Sequence, residues 1–446
     1  MKMKRSAYNH LKTWTNLKDR RPILLRGARQ VGKSHLVRQL AENFDQFLEL
    51  NFEEKPNAKI IFEGPLTPSE IIPKIEGLLN KKIEPGRTLL FFDEIQDCPH
   101  AITALRYFYE KMPELHVIAA GSLLDFELDK IGVPVGRVEF LFINPLSFDE
   151  FCVALGEDVL LEQKYQFSKI SDVAHQRLLE LIRIYSLVGG MPAVVESYRV
   201  TRSFIECQRI QNVILNTYRQ DFSKYAKKQQ IQHIEKVFDA VPRLLGQKLK
   251  YSHISSEAKS QTINDALALL CKARVVFKNF HSAANGVPLG SEVNFQHFKC
   301  VFIDIGLALR MLGIDLPQLV TLSTIELINK GAIAEQFVGQ EILANMPPTE
   351  SPQLYHWHRE ARTSNAEVDY VIQHQSRVLP IEVKAGATGR LKSLNQFLLE
   401  KPQHKLGLRI HSGPIEEHGK ILSLPFYLLG NFLQRSAQET HLLGSS

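Results

Sequence analysis

Residues 27–34 read Gly-Ala-Arg-Gln-Val-Gly-Lys-Ser, a spacing whose chemistry is the binding of phosphate. Glycines at positions 27 and 32 let the backbone curl so that successive N–H groups point into one concavity. A helix predicted to begin at Lys33 turns the positive end of its dipole toward the same space. The Lys33 ammonium then reaches the β- and γ-phosphates of a nucleotide, and the Ser34 hydroxyl ligates Mg²⁺. The expected nucleotide-binding run is Gly27, Ala28, Arg29, Gln30, Val31, Gly32, Lys33, Ser34 and His35.

Hydrolysis needs more than a phosphate cradle. The apolar run Thr88-Leu-Leu-Phe-Phe-Asp-Glu places Asp93 and Glu94 at the end of an expected strand. Asp93 is positioned to hold Mg²⁺ through water, and Glu94 to polarise the attacking water as a general base. The next apolar run ends at Ser122, where a polar group lies beside the γ-phosphate. Arg137 stands just before a further run, at a place from which an arginine can reach a neighbouring subunit's γ-phosphate.

The elements that must position these groups are legible as pattern. Short apolar runs occur at 22–27, 47–52, 88–94, 116–122 and 139–145, separated by helical stretches. Runs of that kind are parallel strands buried on both faces, so the first 155 residues read as a doubly wound α/β sheet. Residues 156–225 read as a helical lid. Residues 226–315 read as three helices followed by strand-like RVVFKNF, a winged-helix-like order in which Ser255 and Thr262 start short helices. Residues 316–446 read as a separate C-terminal α/β domain. It opens with a helix at 324–345, followed by strands at 366–373 and 377–386 and a helix at 390–400.

The chain has 446 residues, 44% hydrophobic and 23% charged, with a net charge of +6, which permits nucleic-acid contact without requiring it. Cys98, Cys152, Cys207, Cys271 and Cys300 are scattered and odd in number, which argues against a disulfide framework or a cysteine zinc site and for a reducing compartment. No apolar run approaches the roughly 20 residues that span a bilayer, and the basic N-terminus lacks a signal peptide's apolar stretch. A cytoplasmic protein with no membrane partner is expected.

The strings RGARQVGKS, LLFFDEIQ, VIAAGSLL, GRVEFLFINPLSFDEF and YSLVGGMPAVV together resemble a family of bacterial and archaeal AAA+ ATPases that carry a C-terminal domain of unknown function. The similarity covers nearly the whole chain, and Pro145-Leu146-Ser147-Phe148 is its most specific part. The resemblance implies ATP as the nucleotide, a sensor role for Ser122, and a role in the nucleotide cycle for Arg137. It also implies that Gly190-Met191-Pro192 lies near the nucleotide.

A second constellation sits near the C-terminus. Glu382 and Lys384 are two apart on one expected strand and so share a face, and Asp369 on the paired strand can join them. Glu335, on the preceding helix, supplies a further carboxylate. This order resembles the PD-(D/E)xK nuclease superfamily, although no proline precedes Asp369. The resemblance implies Asp369 and Glu382 as metal ligands, Glu335 as a supporting acid, Lys384 as the lysine that activates water, and Gln396 as a further candidate. His356 and His358 form a His-x-His pair on one face of a strand; with no third ligand in view the reading is structural. Eight Lys/Arg between Arg219 and Lys250 face only Asp221, Glu235 and Asp239, a bias suited to DNA phosphates.

The sequence therefore leads to the expectation of an ATP-hydrolysing homo-oligomer acting on DNA, with a possible metal-dependent nuclease domain. Its rivals are a nucleotide-dependent oligomeric switch and a DNA-binding regulator, each with a C-terminal domain that binds without cutting.

Overall fold

A computed structural model describes residues 3–132, 136–166, 170–313, 331–359, 366–386 and 391–435. The first sheet holds β1 (Ile23–Arg26), β2 (Gln46–Asn51), β3 (Thr88–Asp93), β4 (His116–Gly121) and β5 (Glu139–Phe142). Its order is β2-β3-β4-β1-β5 and every neighbouring pair is parallel. Each expected apolar run has become a strand. In β1, Ile23 and Leu25 enter one core and Leu24 enters the core on the other side, which is why the run shows no polar alternation. Helices Lys33–Ala41, Pro68–Leu79 and Pro99–Lys111 make the return crossings that parallel strands require. All five strands consequently end at one edge, and Gly27, Asp93 and Ser122 follow or close β1, β3 and β4 there.

The helical region comprises Asp172–Val188, Pro192–Thr201, Phe204–Tyr225 and Lys228–Ala240. Ser171 and Ser203 cap their helices by accepting the Ala174 and Glu206 N–H groups. The first of these helices stops at Gly189, as its sequence predicts.

The second sheet holds β6 (Val276–Ser282), β7 (Val293–Phe302), β8 (Leu354–His358), β9 (Glu367–His374), β10 (Arg377–Val383), β11 (Gly407–His411), β12 (Glu416–His418) and β13 (Ile421–Pro425). Its order is β12-β13-β11-β10-β9-β8-β6-β7. The β9–β10 hairpin lies where expected. The strand foreseen at RVVFKNF is β6, but β6 and β7 are not a free wing: β6 pairs in parallel with β8, so one sheet joins the middle and C-terminal regions. The expected boundary at 315/316 and the helix's first residues, 324–330, lie outside the described residues. Helix Gly331–Asn345 contacts β7 and β10. One continuous core includes Leu25 of β1 and Leu408 of β11, so the two sheets do not have separate interiors. No helix among the described residues is long and apolar enough to cross a membrane. The five cysteines are free.

Candidate functional site

The backbone leaves β1 at Arg26 and turns through Gly27–Gly32 into helix Lys33–Ala41. Gly27 is required by space: a Cβ there would lie 2.3 Å from the Ile143 carbonyl oxygen. Gly32 is required by conformation, with φ at 93°. Lys33 is buried, and its ammonium donates to the Gly27 and Ala28 carbonyls at 2.9 Å each. Burial pulls its pKa down to about 8, against the opposing pull of Glu94 and Asp93. A triphosphate would replace those carbonyls and raise the pKa again. His35, the last residue of the expected run, is exposed.

The Ser34 hydroxyl donates to Asp93 Oδ2 at 2.8 Å, and the Asn51 amide approaches the same oxygen at 3.4 Å. Burial raises the Asp93 pKa while the Ser34 hydrogen bond lowers it. Hydroxyl and carboxylate oxygens side by side are a donor set that fits a hard divalent cation. Glu94 has a left-handed backbone, φ 48°, which turns it off the strand end. Its Oε2 accepts from Gln96 Nε2 at 2.7 Å and from the Ser122 hydroxyl at 3.2 Å. The structure thus brings together Lys33, Ser34, Asp93, Glu94 and Ser122 at one sheet edge.

Helix Phe204–Tyr225 lies over the phosphate loop. Tyr218 donates its hydroxyl to the Arg29 carbonyl at 3.0 Å, Arg29 Nε pairs with Asp221 at 3.1 Å, and Gln30 reaches Thr217 at 3.5 Å. Pro192 Cγ would sit 3.3 Å from a Cβ on Gly32, which sets the Gly190-Met191-Pro192 segment against the loop. The segment 144–150 explains its own specificity. Leu146 N–H donates to the Gly190 carbonyl at 2.7 Å, and Ser147 and Glu150 form a capping box. Phe148 N–H donates to Glu341 of the C-terminal region at 2.7 Å.

Sequence reasoning missed four residues at this edge. Arg5 donates to the Val31 carbonyl at 3.0 Å and pairs with Glu150 at 3.2 Å. Asp125, just after Ser122, pairs with Arg26 of β1 and with Arg274 Nε at 3.1 Å. Both guanidinium groups lie over the Phe142 ring, at 5.2 and 4.5 Å. An arginine at the end of an apolar strand, as at Arg26, is the one local signal that could have pointed to a paired charge; nothing local marked Arg5, Asp125 or Arg274.

Arg137 is elsewhere. It is exposed and pairs with Glu110 at 3.1 Å. Because Glu139 of β5 sits opposite Ile23, Arg137 is at the start of the sheet and Gly27 at its end, roughly 20 Å away at about 3.3 Å per residue. It does not serve the phosphate loop of its own chain.

In the second sheet Glu382 Oε1 pairs with Lys384 at 2.6 Å, its Oε2 accepts the Leu394 N–H at 3.0 Å, and Asp369 Oδ2 accepts the Val383 N–H at 2.8 Å. Lys299 of β7, buried, pairs with Glu335 at 3.0 Å, Glu367 at 2.5 Å and Asp369 at 3.5 Å. An ammonium thus lies among Glu335, Glu367 and Asp369, while Glu382, the other expected metal ligand, pairs with Lys384. Gln396 turns instead to Glu400, at 2.8 Å. Among the basic residues of 219–250, Arg219 pairs with Asp239, Lys224 with Glu53 and Asp221, and Lys248 with Glu367, so part of that charge is spent internally.

Residues 19–152 match the family model described as an AAA domain. Residues 179–318 and 330–427 match two models described as domains of unknown function, DUF8612 and DUF4143. No curated protein matches the chain. Solved structures that the chain matches include a Walker-type ATPase of Pyrococcus abyssi (13% identity, 70% of this chain and 96% of that chain, TM-score 0.44). They also include an Orc1 protein of Aeropyrum pernix in complex with DNA (13%, 71% and 92%, 0.28) and PCH-2 of C. elegans (16%, 34% and 45%, 0.22). Likeness at that level decides nothing about this chain. The family match and the geometry at the sheet edge make residues 19–152 an AAA-type P-loop ATPase domain.

Proposed function

We propose that the chain binds ATP with Mg²⁺ at Gly27–Ser34, hydrolyses it as a homo-oligomer, and uses the cycle to act on DNA. The observation that carries the reading is the pairing of Ser34 with Asp93 at 2.8 Å beside the Glu94–Ser122 contact at 3.2 Å. Mg²⁺, held by Ser34 and through water by Asp93, would neutralise phosphate charge. Lys33 exchanges its two carbonyl partners for phosphate oxygens. Glu94 takes the proton of the attacking water, with Ser122 and Gln96 fixing its Oε2. Arg137, out of reach of its own loop, is supplied to a neighbouring subunit. Helix Phe204–Tyr225, bonded to Arg29 and Gln30, carries the state of the loop to the rest of the chain. The free cysteines suit a reducing, cytoplasmic setting.

Phosphate release and ATP affinity test this directly. Wild-type protein should bind and hydrolyse ATP, Lys33→Ala should lose binding, and Glu94→Gln should bind without turnover. A wild-type protein that neither binds ATP nor releases phosphate overturns the reading. Salt-sensitive DNA affinity, changed by ATP, tests the DNA part.

A second reading has its own support. Lys299 among Glu335, Glu367 and Asp369 favours a C-terminal sheet that binds a partner without cutting it. Wild-type protein with Mg²⁺ or Mn²⁺ should leave DNA and RNA intact. Cleavage that disappears in Glu382→Ala and Lys384→Ala would instead establish the nuclease.

A further inference from the structure

The second sheet supplies the third ligand that the His-x-His pair lacked. His356 and His358 are on β8, and the parallel pairing of β6 with β8 sets His281 directly opposite His356. One nitrogen from each of the three imidazoles lies within 4.8 Å of the others. The His281 and His358 ring centroids are 3.8 Å apart.

The hydrogen bonds around the cluster leave lone pairs without donors. His356 Nδ1 faces the Asn279 carbonyl at 3.0 Å, so Nδ1 carries the proton and Nε2 is an acceptor. That Nε2 is buried and without a partner, as is Nδ1 of His358. A carbonyl behind one imidazole nitrogen and an unsatisfied lone pair on the other is the arrangement that orients a metal-ligating histidine. His281 Nδ1 accepts the His358 N–H at a long 3.4 Å.

We propose that His281, His356 and His358 form a three-imidazole site for a divalent cation of the Zn²⁺ class, clamping β6 of the middle region to β8 of the C-terminal region. All-nitrogen ligands select Zn²⁺ or Co²⁺ over Mg²⁺ and Ca²⁺. Three histidines leave a fourth position for water or a further group. The site is independent of the phosphate loop in both place and chemistry.

The test uses the full chain, stripped of metal and free of nucleotide, titrated with Co²⁺ and separately with Zn²⁺. One equivalent should bind, with the visible absorption of tetrahedral Co²⁺ and no thiolate charge-transfer band. His281→Ala and His356→Ala should each weaken binding by roughly 100-fold or more, since even supporting residues cost about 10–100-fold. Should those variants fail to fold, X-ray absorption at the zinc edge of wild-type protein still decides. Three imidazole scatterers support the site. Sulfur ligands, fewer than three imidazoles, no uptake, or unchanged affinity in folded variants overturn it.

Discussion

The Ser122 hydroxyl donates to Glu94 Oε2 at 3.2 Å, the same oxygen that Gln96 holds at 2.7 Å. A side chain just past β4 thus fixes the rotamer of Glu94, the base of the proposed mechanism, just past β3. A positioned base is worth about 10²–10⁴-fold, and loosening it forfeits part of that. Ser122→Ala should lower the kcat for ATP roughly 10-fold with KM nearly unchanged. Steady-state kinetics check this; an unchanged kcat, or an effect on KM alone, rules out the positioning role.

Arg137 sits at the wrong end of its own sheet to meet phosphate, paired with Glu110. If it completes a neighbour's site, Arg137→Ala keeps ATP affinity and loses roughly 10³-fold or more in turnover. Mixing it with a Lys33→Ala protein should restore some activity, because each variant supplies what the other lacks. Full activity of Arg137→Ala alone would remove the shared site.

Asp125 separates two guanidinium groups, Arg26 and Arg274, with side-chain exposures of 20% and 14%. Removing the carboxylate leaves two largely buried like charges together, a change that costs about 3–5 kcal/mol when a buried partner is lost. Asp125→Ala should melt well below wild type, and Asp125→Ala with Arg274→Met should regain part of the loss. A thermal midpoint unchanged in the single variant would show that the triad contributes nothing.

The ATPase sheet was readable because a strand covered on both faces leaves an unbroken apolar run. Asp93 and Glu94 announce themselves by ending one. Glycines forced by space or by φ, such as Gly27 and Gly32, are equally local signals. What the sequence concealed depends on long-range pairing. His281 becomes a partner of His356 only through the parallel β6–β8 contact, and Lys299 meets Glu335, Glu367 and Asp369 only because β7 joins the same sheet. Of the helices expected before RVVFKNF, Lys228–Ala240 and Ser260–Lys272 are present but none starts at Ser255, and hydrophobic periodicity does not say which sheet edge a hairpin will extend. Arg274 was hidden for the same reason, since its partner Asp125 belongs to a different region of the chain.

Glu341 offers a pH test of the contact between the C-terminal helix and the ATPase region. Its Oε1 accepts the Phe148 N–H at 2.7 Å, and it faces Asp149, Glu150 and Lys164 in a fully buried setting. Burial first, and then the Asp149 charge, raise its pKa from 4.5 to about 8. The sign follows from proton uptake: between those values the folded protein holds a proton that the unfolded chain has released. The carboxyl therefore costs nothing below about pH 4.5, and its ionisation penalty accrues as pH rises toward 8. The ceiling is about 5 kcal/mol, at about 1.4 kcal/mol per pKa unit. Glu341→Gln keeps the acceptor for Phe148 and cannot ionise. Its thermal midpoint relative to wild type should climb from about pH 4.5 to about pH 8 and level off above that. A difference that stays flat across the range would mean that Glu341 is not held protonated by the fold.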